Sequence, residues 1–230
     1  INNLPDGRIS IRTQTMLNLY NGATFDYFRK GITSVYQWNF NGYEREYIDA
    51  QERLWVKQQQ LQLLDLKTNK FIGDIDEVII SYSFQKKLAD FFIDKSKNLW
   101  FLADDNEFSY YDIANKELVL LPTMDSVSRK RYGVPRQIEQ DGDDCWILYS
   151  KGLVQRWSYK AKKIIGHDES LVERINPDSH NMVMRVSSKV GLWLMHHTDV
   201  LFYSFSSGRW EVMNSISGLS NFFTCMDVDK

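Results

Sequence analysis

The sequence predicts an all-β protein, a β-propeller of about five four-stranded blades of ~46 residues each. Three observations lead there. A tryptophan-bearing segment recurs at a nearly constant interval, and a hairpin-like second half recurs behind each copy. The 7 Trp, 12 Tyr and 13 Phe among 230 residues supply the ring side chains that pack well on pleated sheets.

The first half of the repeat reads Glu52-Arg53-Leu54-Trp55-Val56, Lys97-Asn98-Leu99-Trp100-Phe101, Asp144-Cys145-Trp146-Ile147 and Val190-Gly191-Leu192-Trp193-Leu194. A fifth copy, Asp6-Gly7-Arg8-Ile9-Ser10-Ile11, carries Ser10 in the Trp slot. From Ser10 through the four tryptophans the intervals are 45, 45, 46 and 47 residues, too regular for coincidence. The second half runs as a strand, a turn of Asn, Gly, Lys or Ser, and a further strand, as in Leu63–Phe71, Tyr110–Leu118, Arg156–Ile164 and Phe202–Trp210. A short strand candidate precedes each Trp segment, for example Phe91-Phe92-Ile93-Asp94. Four short strands per repeat make a blade.

One stretch pulls the other way. Glu44 to Leu66 is rich in good helix formers. The repeat register puts a turn at Asp49 to Arg53 with strands on both sides, and a period shared by five copies outweighs local propensity. Each of the four Trp residues then sits mid-strand, where burying so large a side chain is worth roughly 1.5–3 kcal/mol or more, and all four are expected in the core.

The repeats fall at approximately 1–43, 44–87, 88–133, 134–180 and 181–217, with 218–230 starting or closing another blade. Two architectures fit: a five-bladed ring closed by the last strand, or an arc that is part of a larger, seven-bladed ring of the size propellers commonly reach. The chain begins at Ile1 without a Met or a leader, and so reads as a mature or excised piece.

The repeats resemble the two-component regulator propeller repeat, which runs Asp-x-x-Gly-x-(Leu/Ile)-Trp-(Ile/Val)-Gly-Thr, then Gly-Leu, Tyr-Asp, a turn with Phe, and an inter-blade Gly-Leu-Ser-Asn. The matching residues are Asp6-Gly7-Arg8-Ile9, Asp94 with Asn98-Leu99-Trp100, Tyr111-Asp112, Gly152-Leu153, Tyr20-Asn21-Gly22 with Phe25, and Gly218-Leu219-Ser220-Asn221. Gly31-Ile32-Thr33-Ser34 is a weaker copy of the last. The likeness covers essentially the whole chain. It departs at Ser10 and at the Gly-Thr after the Trp strand, of which only Arg12-Thr13 is a partial copy, so kelch-type and WD-type propellers stay open. The resemblance implies the periplasmic ectodomain of an inner-membrane sensor, from a hybrid two-component system of Bacteroidetes. Its partners would be an oligosaccharide ligand, the remaining propeller and sensor domains of a parent chain that carries a histidine kinase, and a second copy in a homodimer.

Composition narrows the function further. A net charge of −2 argues against a nucleic-acid binder, and no apolar run is long enough to span a bilayer. Two cysteines make no disulfide framework, and Cys145 and Cys225 fall in different repeats. No nucleophile elbow, phosphate loop or zinc helix is present, so the segment is read as non-enzymatic, without cofactor. In His196-His197-Thr198-Asp199 the adjacent imidazoles would point to opposite faces of a strand, which argues against a metal.

Propeller ligands meet the face that collects inter-blade connections and the turns after the Trp strands. A sugar needs a flat apolar surface together with amides, carboxylates or guanidinium groups. The candidates on that register are Tyr36, Trp38, Asn39, Tyr43, Arg129, Arg131, Tyr132, His180 and His196. Ser128-Arg129-Lys130-Arg131 also reads as a solvated loop. Two other functions remain on the table: a protein-interaction scaffold without small ligand, and a glycan-processing enzyme whose carboxylates would come from separate blades.

Overall fold

The computed structural model describes residues 2–13, 16–29, 36–37, 44–58, 60–172, 174–175, 182–196 and 199–213. Within them the chain forms five antiparallel sheets in sequence order, the blades of a propeller. The first holds β1 (Asn2–Asn3), β2 (Ile9–Arg12), β3 (Met16–Tyr20) and β4 (Phe25–Arg29). The second holds β5 (Tyr36–Gln37), β6 (Arg45–Ile48), β7 (Arg53–Lys57), β8 (Gln60–Asp65) and β9 (Lys70–Phe71). Here β5 and β9 both pair with β8, at Gln60 and Leu61 and at Leu64 and Asp65 respectively, so two short pieces share one strand position.

After α1 (Ile75–Ser81) come β10 (Leu88–Ile93), β11 (Leu99–Ala103), β12 (Phe108–Asp112) and β13 (Glu117–Leu120). After α2 (Ser126–Tyr132) come β14 (Pro135–Asp141), β15 (Asp144–Tyr149), β16 (Val154–Ser158) and β17 (Lys163–Asp168). The last described sheet is β18 (Met182–Ser187), β19 (Gly191–His196), β20 (Asp199–Ser204) and β21 (Arg209–Val212). The stretch rich in helix formers is β6, β7 and β8, as the repeat register requires. Contacts divide the chain into two compact units: one through Asp104 together with Ser109–Val119, the other Asp105–Phe108 and the chain from Leu120 on.

In the first unit, Leu4, Leu17 and Leu19 of the first sheet pack against Leu54, Val56, Leu64 and Leu66 of the second. The second meets the third through Trp55, whose ring lies 4.9 Å from that of Phe91. Beneath it Lys57, fully buried, sets its ammonium 2.5 Å from Asp90 and 2.9 Å from the Phe91 carbonyl. Such a charge survives burial only because carboxylate and carbonyl together replace its water. In the second unit Trp146 stacks on Phe205 at 5.2 Å over a cluster that includes Leu148, Val154, Met184, Leu192 and Leu194. Each of these tryptophans therefore packs on the sheet that follows it. Trp55, Trp100 and Trp146 are buried, but Trp193 is only half-buried, against Phe202. The expectation of four equivalent core tryptophans is corrected for Trp193: its neighbour by this rule would come from the next repeat, which the sequence places in 218–230, outside the described residues.

The turns explain the regular spacing. The first turn of each sheet places one residue in the left-handed region: Gly7, Glu52, Lys97, Gly142 and Lys189. The last hairpin does the same at Gly22, Asn69, Lys116, Lys162 and Gly208. In two sheets an aspartate organises the first turn. Asp49 accepts hydrogen bonds from the backbone N–H groups of Gln51 and Arg53, from the Arg53 guanidinium, and from the Trp55 indole at 2.8 Å. Asp94 does likewise for Asn98 and for Trp100 at 3.0 Å. The carboxylate thus closes the turn and satisfies the one polar atom of the buried ring.

Two outcomes follow for chemical denaturation. Asp49→Ala leaves several donors without an acceptor and should cost about 2–4 kcal/mol, with Asp49→Asn costing roughly half as much. Lys116 is exposed at a φ of 55°, where a side chain is strained. Lys116→Gly should therefore stabilise the fold by about 0.5–1 kcal/mol, and a loss of stability would show that the turn is not strained there.

Candidate functional site

The chain between β13 and β14 carries α2, and this is where the second unit builds its cleft. The Asp125 side chain accepts from the Ser128 N–H at 2.7 Å and opens the helix. Gly133 ends it at a φ of 78°, where a Cβ would lie 1.9 Å from the Ser150 hydroxyl. Only glycine passes there. The segment is then stitched to the turn between β15 and β16: the Ser150 N–H donates to the Val134 carbonyl at 2.8 Å and the Lys151 N–H to the Tyr132 carbonyl at 3.1 Å. On its other side Arg129 donates to the Asp105 carbonyl, at 3.3 Å, in the turn between β11 and β12.

Between them lies a small open cleft with a volume of about 30 Å³. Its lining includes the polar residues Asn106, Arg129, Tyr149 and Gln155 beside apolar Phe108, Leu121 and Met124. Pockets that swallow a whole ligand run to roughly 300–1,000 Å³, so this one admits a single functional group and leaves the rest of a ligand outside.

Behind the cleft runs a continuous hydrogen-bond chain. The Tyr149 hydroxyl donates to Gln155 Oε1 at 2.8 Å, and Gln155 Nε2 lies 3.4 Å from His167 Nδ1. His167 Nε2 meets Glu169 Oε1 at 2.8 Å. Because the carboxylate only accepts, the His167 Nε2–H donates to it. Tyr132 donates to the same Glu169 oxygen at 2.7 Å, and Arg131 pairs with the other at 2.7 Å. The hydrogen bonds from Tyr132 and His167, with the nearby Arg131 charge, hold the Glu169 carboxyl below its ordinary range. The bond to Glu169 pushes the Tyr132 hydroxyl up, and burial pushes Tyr149 up, so both stay neutral donors.

Of the residues picked from sequence, the structure brings Arg129 to the cleft and Arg131 and Tyr132 to the Glu169 network. All three lie on α2 and not in the solvated loop expected there; Asp125 caps the helix, and Tyr132 is buried. His196 is buried at the end of β19 and does not line the cleft. Tyr36 lies in β5 of the first unit. Trp38, Asn39, Tyr43 and His180 lie outside the described residues. The repeat register places Asn106 and Tyr149 among the turns of the ligand face, whereas nothing in the sequence singles out Gln155, His167 and Glu169 as site residues. Gln155 and His167 meet because they face each other across β16 and β17, a register that the sequence does not print.

No protein-family model matches the chain, and no curated protein matches it. Solved structures do. The extracellular domain of the hybrid two-component system BT4673 from B. thetaiotaomicron is similar with a TM-score of 0.58 at 14% identity, covering 93% of this chain and 29% of that one. That of BT3049 from the same organism gives a TM-score of 0.54 at 15% identity, covering 92% and 29%. The chain shares with them a β-propeller fold. PorZ of the Porphyromonas gingivalis type-IX secretion system shares the fold as well, with a TM-score of 0.53 at 11% identity, covering 90% and 25%. The chain thus spans between a quarter and a third of the length of these structures. Among its described residues no helix is long and apolar enough to cross a membrane.

The lowered Glu169 carboxyl gives the network a pH signature. Its contribution to stability is present above the ordinary carboxylate value of 4.5 and is lost as pH falls through the lower, folded value. Glu169→Gln should flatten the acid arm of a stability-against-pH curve; an arm as steep as that of the parent would show that the network adds nothing.

Proposed function

We propose that this chain is a non-enzymatic sensor module, part of the periplasmic ectodomain of a hybrid two-component system, that binds an oligosaccharide or related ligand. The observation that carries this reading is the cleft of the second unit, where an inter-blade connection converges with the turns that follow two Trp strands. It brings an arginine, two amides and a tyrosine to one small space in a fold used by sensor ectodomains. A space for one functional group suits a receptor that grips a ligand by a substituent and reads the rest on its surface.

Transmission needs a ligand with different affinity for two arrangements of the receptor. Blades packed through Trp55 and Trp146 are rigid, so the arrangement that changes is how propellers or protomers pack. On this reading the chain works with the remaining domains of a parent protein and a second copy of itself.

Thermal unfolding of the chain against purified oligosaccharides tests the proposal. A ligand at 100 times its dissociation constant should add about 2.7 kcal/mol, with no product formed. Consumption of the oligosaccharide would point to an enzyme. Folded protein that responds to no glycan would favour a scaffold that docks another protein.

A further inference from the structure

We infer that the cleft beside α2 recognises a carboxylate, and that the ligand class it selects is a uronic-acid sugar in preference to a neutral one. The inference rests on reading the cleft as the ligand site and adds the chemistry of the group it holds. Three observations support it.

First, none of the residues lining the cleft is Asp or Glu, whereas one is Arg. Arg129 is half-buried, and its one hydrogen bond goes to the Asp105 carbonyl. It forms no ion pair among the described residues. Asp125, one helical turn away, interacts with it through space but is engaged in capping α2. A guanidinium carries five N–H donors in a planar fork, so most of its donor capacity is unspent.

Second, two amides beside the arginine have N–H groups to spare. The Asn106 amide is half-buried and has no hydrogen-bond partner among the described residues. Gln155 spends its carbonyl on Tyr149 and one amide proton on His167, which leaves one N–H. A neutral sugar hydroxyl could bond here too, but a carboxylate asks only for donors and also meets the guanidinium charge, which makes its hydrogen bonds the stronger ones. Arg129, Asn106 and Gln155 meet that demand.

Third, the size fits. About 30 Å³ is far below the several hundred that enclose a whole ligand, so a substituent such as a carboxylate enters and a pyranose ring does not. The ring would stay outside, over the apolar rim at Met124.

Nuclear magnetic resonance of the whole chain, reading the Arg129 Nε–H and the Asn106 amide, tests this with three probes at matched concentrations: sodium glucuronate, glucose and sodium lactate. Glucuronate should shift both signals saturably, and the two other probes should shift them far less. Arg129→Gln should weaken glucuronate at least tenfold. Asn106→Gly, which keeps the left-handed backbone and removes the amide, should weaken it severalfold. Unchanged unfolding curves for both variants would establish that the loss is not one of folding. Equal shifts with glucose would overturn the preference for an anion while leaving the oligosaccharide reading intact. Equal shifts with lactate would overturn the sugar class and, with it, count against that reading. Glucuronate binding that ignores both variants, or no response to glucuronate, would overturn the site.

Discussion

A small sheet built from alternating apolar residues has two faces to bury and can cover neither by itself. In this chain the constraint is met by tryptophan. Trp55 reaches Phe91 of the next sheet and Trp146 reaches Phe205 of the next, so the second and fourth sheets are each covered by their successors. Burying an indole brings one obligation, its N–H, and Asp49 and Asp94 discharge it from the turn just before the strand. The same carboxylates pair the turn's backbone N–H groups, which joins the core ring and the chain reversal into one unit. Turn, register and inter-blade packing therefore depend on a single side-chain contact.

The other turns support the same geometry by a different route. Each blade needs left-handed residues at two fixed places, and the chain supplies glycine at only some of them. Glu52, Lys97 and Lys116 adopt the left-handed conformation in spite of their side chains. Where two backbones must also touch, the choice narrows. At Gly152 a Cβ would lie 2.4 Å from the Leu171 carbonyl, and this contact seats the segment that follows Glu169 against the turn that follows Tyr149. The candidate site is thus an outgrowth of blade geometry: the cleft forms because backbone hydrogen bonds pin the end of α2 to the turn after β15, and the Arg129 side chain ties it to the turn after β11.

Much of the blade plan was readable in the residues. The interval between tryptophans and the hairpin signals between Leu63 and Phe71 or Tyr110 and Leu118 repeat in step, and that outweighed the helix-forming composition of Glu44 to Leu66. The two short helices were missed, although each carries a signal: Asp74 caps α1 three residues before Glu77, and Asp125 caps α2 three residues before Ser128. At seven residues each, they are too short to show a convincing helical period. Reading Ser128 to Arg131 as a loop followed from that, and it hid the fact that Arg129 and Tyr132 belong to one rigid element.

The sequence by itself determined the repeat, the strand order within a blade and the position of the buried rings, because these follow from local alternation and from a turn chemistry that recurs. Tertiary structure alone decided which groups meet. Gln155 and His167 become neighbours through the register of β16 and β17, Glu169 joins them from beyond β17, and Tyr132 and Arg131 come to it from a helix more than thirty residues earlier. Such a constellation depends on distances through space between residues whose spacing along the chain carries no period, and only the packed blades set those distances.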